Sequence, residues 1–410
     1  MDAVLECCAG LDVHQESITA CVLSGPLDQK PRQYVETFGT TTKELLKLLD
    51  WLKEYECTHV AMESTGVYWK PVWNVLEGSF SLLLANSKRV KNVPGRKTDT
   101  NDAVWIARLL RCGLIEGSFV PPVDIRDLRD CTRYRRKLLG VCTSEKNRVH
   151  KVLQDANIKL TTFLSDIFGT SGRALLEAIA NGEPLNETDI REMVHPRVRH
   201  KIPQLIDALN GRIRPHHRKM IRRHLDHLYY LEKQIAELEE EIDALLEPYR
   251  EEMSLLQTIP GVKKDAAAVI LSEMGPDPSQ FPTEQQLASW AGVCPGNHES
   301  AGKKKSTRIR KSNPGLKAVL CQVAYAASKS RDTRLAAYYS RLVKRRGPKK
   351  AVIALAHLIL RIIYHMLKNH VPYKELGPDY LPKKEPSVQH WVRKIKAMGF
   401  EVNLIEKEMA

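Results

Sequence analysis

The sequence predicts an α/β domain at the N-terminus followed by a longer, almost wholly helical region. Three observations predict it. Strand-like apolar runs joined by short turns alternate with helical patterns through the first third of the 410-residue chain. A leucine-rich seam with spacings of three and four occupies the middle. Beyond it, further helical patterns flank a basic stretch broken by glycine and proline.

Residues 5–13, 17–23 and 32–38 read as three strands of an antiparallel meander, with Gly25-Pro26 in one of the turns. Residues 42–55 place Leu45, Leu48, Leu49 and Leu52 at helical spacing. Residues 58–62 read as a fourth strand, 68–76 as a helix, 80–85 as a fifth strand and 101–110 as a helix. The resulting order, β-β-β-α-β-α-β-α, is that of the ribonuclease H-like fold. Order alone assigns no function, but acids stand where these elements end. Asp12 ends the first strand in GLDVH, and Glu63 ends the fourth in VAMESTG. Asp99 and Asp102 open the last helix in KTDTNDA. In that fold the first and fourth strands are neighbours, which puts Asp12 beside Glu63. Asp99 and Asp102, three apart, share one helix face.

Four converging carboxylates suit phosphodiester chemistry. Transfer of a phosphodiester needs charge compensation at the attacking and leaving oxygens, which two Mg²⁺ ions about 3.5–4 Å apart supply. Mg²⁺ takes hard oxygen ligands. Without a cation the four acids would repel one another and shift upward in pKa. Taken singly each has a plainer explanation: Asp99 as a helix cap, Asp102 as a dipole partner, Asp12 as a turn acid. It is the set that points to a metal site.

The formal charge of +14 favours a polyanionic partner, of which nucleic acid is the usual one. The 43% hydrophobic content is ordinary for a globular chain. With no uninterrupted run of about 18 apolar residues, no membrane span is expected. No basic region precedes an apolar stretch at the N-terminus, so no secretory signal is expected. The nine cysteines are scattered without a C-x-x-C pair, a reduced, cytoplasmic pattern of use as core filler. His195, His200, His216, His217, His224 and His227 lie among arginines and lysines and read as a solvated basic face rather than a zinc site.

Residues 124–160 form a basic helical pattern with Leu128, Leu138, Leu139, Val149, Val152 and Leu153 on its apolar side. Such a helix can lie along a phosphate backbone, and Arg133 and Arg136 are candidate contacts. Residues 162–215 read as short helices of no assigned role. Leu228, Leu231, Ile235, Leu238, Ile242 and Leu245 make a seam of about three heptads. It reads as a hairpin or intermolecular coiled coil, the plainer alternative being one long helix packed inside its own subunit.

LLQTIPGVKKDAAAVILSEMG resembles a helix-hairpin-helix. Gly261 would let the backbone approach a phosphate, the following helix would offer free N–H groups, and Lys263 and Lys264 add charge. From 303 to 317 there are seven basic residues and no acid, which reads as a flexible cationic loop. Lys303, Lys304, Lys305, Arg308, Arg310 and Lys311 are its candidate phosphate contacts. Ser300 precedes the loop. A serine among cations can attack phosphorus, because the positive field stabilises the alkoxide and the transition state. On the residues alone Ser306 and Ser312 serve as well. Residues 352–367 make a buried helix in which His357 and His365 read as structural. The expected division is 1–120, an α/β domain carrying the acids; 121–252, basic helices and coiled coil; 253–372, a helical domain carrying the serine; and 373–410, a polar tail.

GLDVHQ, MESTGVYW and KTDTNDA resemble the Asp-Glu-Asp-Asp signature of the one-ten and eleven-eleven family of bacterial insertion-sequence transposases. AGVCPGNHESAGKKKS followed by RKSNPGLK is similar to the C-terminal domain of the same family, and the resemblance runs over nearly the whole chain. It implies an N-terminal domain like the Holliday-junction resolvase RuvC, with Asp12, Glu63, Asp99 and Asp102 binding Mg²⁺ and Ser300 as nucleophile. It further implies DNA as substrate, a structured guide RNA encoded by the element, a homo-oligomer (dimer or tetramer) and action at the bacterial nucleoid. Two rivals fit the residues less fully. One is a metal-dependent, junction resolvase-like endonuclease without serine chemistry; the other is a non-catalytic nucleic-acid-binding protein.

Overall fold

A computed structural model describes residues 2–63, 66–85, 102–296, 298–300, 303–306, 309, 313–380 and 387–404. The chain divides into two compact units, Met1–Val120 and Pro121–Ala410.

The first unit is mixed α/β. Strands β1 (Cys7–Val13), β2 (Ser17–Ser24) and β3 (Arg32–Gly39) form the antiparallel meander. Helix α1 (Thr42–Glu54) leads to β4 (His59–Glu63), which pairs parallel to β1. Helix α2 (Trp69–Leu76) leads to β5 (Ser81–Ala85), parallel to β4. Helix α3 (Asp102–Arg111) and a short β6 (Gly117–Ser118), antiparallel to β5, complete the sheet in the order β3-β2-β1-β4-β5-β6. The two-residue β6 carries no apolar alternation and was not legible in the sequence.

Period-two alternation gives β1 two different faces. Ala9, Leu11 and Val13 join Leu45, Leu48, Leu52, Val72 and Leu76 in a core of large side chains under α1 and α2. Cys8, Ala61 and Ala85 face α3, whose Ala103 and Ala107 are equally small. Small residues on both sides let helix and sheet come unusually close. A Cβ on Gly10 would stand 2.3 Å from the Ala107 nitrogen and 2.4 Å from the Ala103 oxygen, so only glycine fits. Farther along, the Arg111 guanidinium donates to the carbonyls of Glu6, Gly25 and Pro26. Helix α3 therefore runs against the direction of β1, with its Asp102 end toward the Asp12 end of the strand.

The second unit is helical and built on two long helices, α4 (Val123–Asp155, 33 residues) and, after four short helices, α9 (Pro215–Leu246, 32 residues). The intervening helices are α5 (Leu160–Phe163), α6 (Thr170–Asn181), α7 (Glu187–Met193) and α8 (Ile202–Leu209), with a 3₁₀ turn before α8. At 1.5 Å per residue α4 and α9 are each about 50 Å long. Their side chains pair in reverse order, Asp124 with Tyr249 beyond α9, Arg135 with Glu239, Glu145 with His224 and Asp155 with His217, so they run antiparallel. The heptad seam is thus filled from within the chain: Leu228, Leu231, Leu238 and Ile242 are buried, and α4 contributes Leu128, Leu138, Val149 and Leu153. Two histidines depart from the expected solvated face. His217 is buried and His224 nearly so, because they extend the apolar stripe of Ile221, Leu225 and Leu228. His224 and His227 both reach the carboxylate of Glu145, which is 1% exposed.

Beyond α9 come α10 (Arg250–Gln257), α11 (Lys264–Met274) and α12 (Glu284–Trp290), and then a hairpin of β7 (His298–Ser300) and β8 (Lys303–Ser306). Helices α13 (Pro314–Ala327), α14 (Arg334–Arg346), α15 (Pro348–Asn369) and α16 (Val388–Ala397) follow. By length and a mean hydropathy of 1.6, α15 is long and apolar enough to cross a membrane, although charged residues interrupt its apolar run. Half of that apolar window is buried inside the protein, with Leu355, Ile359, Leu360 and Ile363 fully covered.

Glu273 on α11 ties three helices together. Its carboxylate is 1% exposed and takes a two-pronged hydrogen bond from Arg133 of α4, both at 2.8 Å, and one from Asn313, the N-cap of α13, at 2.6 Å. Arg129 stands 3.6 Å away and also donates to the carbonyls of Ser272 and Glu273. Burial by itself would raise the Glu273 pKa. The Arg133 fork, the Asn313 amide and the Arg129 charge outweigh it and hold the carboxyl below its usual range.

Two outcomes are expected. Gly10→Ala destabilises the first unit by about 3 kcal/mol, and hydrogen exchange of the β1 amides will accelerate accordingly; unchanged exchange would contradict the close approach of α3. Glu273→Ala leaves buried arginine charge uncompensated and costs about 3–5 kcal/mol, read by urea unfolding. Because the folded pKa of Glu273 is depressed, its contribution is complete above the unfolded carboxyl value, about 4.3, and is lost as pH falls below that through the folded value. Wild type will therefore lose stability more steeply than Glu273→Gln below about pH 4.

Candidate active site

Three of the four acids come to one end of the sheet by different routes. In the β1–β4 ladder Leu11 pairs with Met62, so Asp12 and Glu63 are the next residues along neighbouring parallel strands. Asp12 also pairs with Thr19 of β2, and Glu63 with Ala85 of β5. Asp102 is the first residue of α3, whose N-terminus the Gly10 contact directs to this end. All three are partly buried. His14 Nε2 lies 3.2 Å from Asp12 Oδ2. The turn after β1 is tied to two other segments here: the Tyr68 hydroxyl, just before α2, donates to the Gln15 side chain at 3.2 Å, and Thr40, just after β3, donates to the Gln15 carbonyl at 2.9 Å. Asp99 lies outside the described residues.

Among the described residues no three His, Cys, Asp or Glu side chains stand close enough to hold one metal ion. The donors at this end are carboxylates, a hard-oxygen set that fits Mg²⁺ in kind.

Ser300 lies in the second unit, on the β7–β8 hairpin. The ladder runs from a bridge between Pro295 and Ile309, through His298 with Ser306, to Ser300 with Lys303, with an irregularity between His298 and Glu299. Of the serines that sequence left equal, Ser300 stands at the far end of this arm and Ser306 nearer its base; Ser312 lies outside the described residues. Lys303, Lys304 and Lys305 belong to a strand rather than a flexible loop. Their run has no apolar alternation, and only pairing with His298–Ser300 makes a strand of it. Arg308, Arg310 and Lys311 lie outside the described residues. The arm is anchored on both sides. Val293 before it is 1% exposed, and Asn313 after it caps α13 by accepting from the Gly315 and Leu316 amides while donating to Glu273.

Of the other candidate phosphate contacts, Arg133, Arg136, Gly261 and Lys264 have partners within the protein. Arg133 forks onto Glu273, and Arg136 donates to the Gly315 carbonyl at 3.3 Å. Gly261, at φ +90°, is tight against α13: an added Cβ would meet the Ala327 nitrogen at 2.8 Å and the Val323 oxygen at 2.9 Å. The hairpin between α10 and α11 thus uses its glycine to approach a helix of its own chain. Lys263 is exposed, and Lys264 pairs with Asp243 at 2.6 Å. Sequence reasoning missed Glu273 and Asn313 as supports of the serine arm. Asn313-Pro314 carried a usable signal, a capping residue before a proline at the first helical position. Glu273 carried none, since its partners lie 140 residues back and 40 residues on.

Comparison with known proteins places both halves of this description in one family. Residues 9–158 match a transposase profile of the IS110 group with the Asp-Glu-Asp-Asp signature, and residues 253–340 match that of the transposase IS116/IS110/IS902 family. Together they span more than half of the chain. The pilin gene-inverting protein of Moraxella bovis is 23% identical over 381 residues, 89% of this chain and 96% of its own length. The transposase for insertion sequence element IS1111A of Coxiella burnetii is 26% identical over 286 residues, 69% of this chain and 70% of its own. A protein of Sinorhizobium fredii named as a transposase is 29% identical over 125 residues, and the chain spans only 32% of that relative's length. With one profile covering the three described acids and α4 and the other covering Ser300 and its arm, the chain belongs to the IS110 family of transposases.

Proposed function

We propose that the protein recombines the DNA of a mobile element through a covalent serine intermediate, with the acid end of the first unit as its metal site. The observation that carries this reading is the sheet order β3-β2-β1-β4-β5 with acids at the ends of β1 and β4 and at the start of α3. That arrangement supports a ribonuclease H-like, RuvC-like assignment for the first unit. Asp12, Glu63, Asp99 and Asp102 are the residues that would hold Mg²⁺. A bound divalent cation there compensates charge on the phosphate oxygens.

The Ser300 hydroxyl attacks phosphorus; the Ser–O–P bond forms, the bond to one deoxyribose oxygen breaks, and the serine proton passes to solvent or a nearby base. The departing oxygen takes up a proton. Exchange of one phosphodiester for another conserves the bond energy, so rejoining by a second deoxyribose hydroxyl needs no nucleotide cofactor. Lys303, Lys304 and Lys305, on the strand paired with that of Ser300, are placed to attract the phosphate backbone. We further propose that an element-encoded structured RNA guides the choice of DNA and that the active assembly is a homo-oligomer. The family resemblance supports both.

The test is covalent trapping. Purified protein, element-end DNA, flanking RNA and Mg²⁺ are mixed, denatured and resolved on a gel. Wild type is expected to give a protein–DNA adduct that Ser300→Ala abolishes and that Asp102→Ala lowers at least about 100-fold. Cleavage that persists in Ser300→Ala but fails in Asp102→Ala would overturn serine chemistry in favour of a metal-only nuclease. Omission of the RNA is expected to stop recombination of both DNAs; full-rate recombination without it would refute the guide.

A further inference from the structure

At the opposite ends of β1 and β4 from the acids, two thiols face each other. Cys7, the first residue of β1, and Cys57, two residues before β4, have their sulfur atoms 3.7 Å apart. Their strands are hydrogen-bonded neighbours from Cys8 and His59 onward, so the backbone already holds the pair together. A disulfide requires the sulfurs to close by only about 1.7 Å. Cys7 is partly exposed, whereas Cys57 is buried behind it.

We propose that this pair is a thiol-modification site, in which Cys7 captures a low-molecular-weight disulfide and Cys57 resolves the adduct to an intramolecular disulfide. The Cys7 thiolate attacks one sulfur of the small disulfide, forming a mixed disulfide and releasing one small thiolate. Cys57 then loses its proton to solvent and attacks Cys7 Sγ, which expels the second thiolate. Two protein thiols and one small disulfide become one protein disulfide and two small thiols, so electrons and protons balance.

The surroundings assign these roles. The Cys57 hydrogen bond, seconded by Ser24 and the Arg111 charge, outweighs burial and nearby Glu56 and brings the Cys7 thiol down to about 7. Cys57 is pushed strongly upward, first by its hydrogen bond to Cys7 and then by burial. The protonated Cys7 thiol donates to the Tyr55 carbonyl at 3.0 Å; on ionisation it gives up that bond and accepts from Cys57, and capture of the small disulfide removes the accepting thiolate, which frees Cys57 to act second. The nearby alternatives are poorly placed: burial raises Cys8 to about 12 and Cys21 to about 11, and the Cys8 sulfur is turned to the Ala107 carbonyl. The closed link would span 50 residues of chain, including β2, β3 and α1, and so restrict the unfolded state of the first unit. It would brace β1 and β4 while leaving the ends that carry Asp12 and Glu63 untouched.

The experiment treats the full chain with oxidised glutathione, quenches with alkylating agent and maps peptides by mass spectrometry. Wild type is expected to yield a Cys7–Cys57 linked peptide lacking two hydrogens, reversed by dithiothreitol. Cys57→Ser is expected to stop at a glutathione adduct on Cys7, and Cys7→Ser to react at Cys57 at least about 10-fold more slowly. The unfolding midpoint of the first unit is expected to rise on the order of 10 °C on oxidation of wild type but not of Cys7→Ser. Absence of the linked peptide, a glutathione adduct that persists on Cys7 in wild type, or first reaction at Cys112 would overturn the proposal. None of these readouts involves DNA, so the result stands apart from the transposition mechanism.

Discussion

The acid end of the first unit depends on a missing side chain. With nothing beyond its Cα, Gly10 lets the backbone of α3 rest directly on β1. The contact lies two residues before Asp12 and seats α3 close on the strand. A helix held off by a side chain at position 10 would carry its N-terminus away from the strand ends. Instead Asp102 is brought toward Asp12 and Glu63, which the parallel register of β1 and β4 has already set side by side. One side of the sheet is thus given to bulk and stability, under α1 and α2, and the other to close approach and placement.

The second unit relies on charge where the first relies on size. Glu273, on α11, is a carboxylate buried among two arginines and an amide, and its partners come from α4 and the start of α13. Compared with an apolar cluster of the same shape such a group adds little net stability, since desolvation offsets most of the attraction, but removal of one member strands the charge of the others, and so the group specifies geometry. What it specifies here is where α13 begins, and α13 begins immediately after the arm that bears Ser300. The arginines of α4, which composition alone would assign to nucleic acid, are in part internal fasteners: Arg129, Arg133 and Arg135 all face carboxylates of the same chain.

Much of the first unit was legible because its signals are local. The strand and helix order, the hairpin turns and the acids at element ends follow from periodicity and adjacency over a few residues. The heptad seam was legible as a seam but not its partner, because Leu228 or Ile242 would pack equally well on any apolar stripe. Gly261 and Arg133 show the general difficulty. A glycine in a tight turn and an arginine on a helix announce a close approach and a charge, but what they meet lies far away in sequence. The β7–β8 hairpin was hidden for another reason: three lysines in a row carry none of the alternation by which a strand is known, and it is pairing that orders them.

The polar pairs along α4 and α9 also bear on how the long rod can move. A purely apolar heptad seam is nearly indifferent to a slip of one repeat, because one leucine layer resembles the next. Here Glu145 is buried between His224 and His227, and His217 is buried on Asp155 at the far end. A slip of one repeat would strand the Glu145 carboxylate in the apolar interior and pull the His217 imidazole from Asp155. The pairs act as teeth in a gear and forbid sliding. The two helices are therefore locked in one register along their length of about 50 Å.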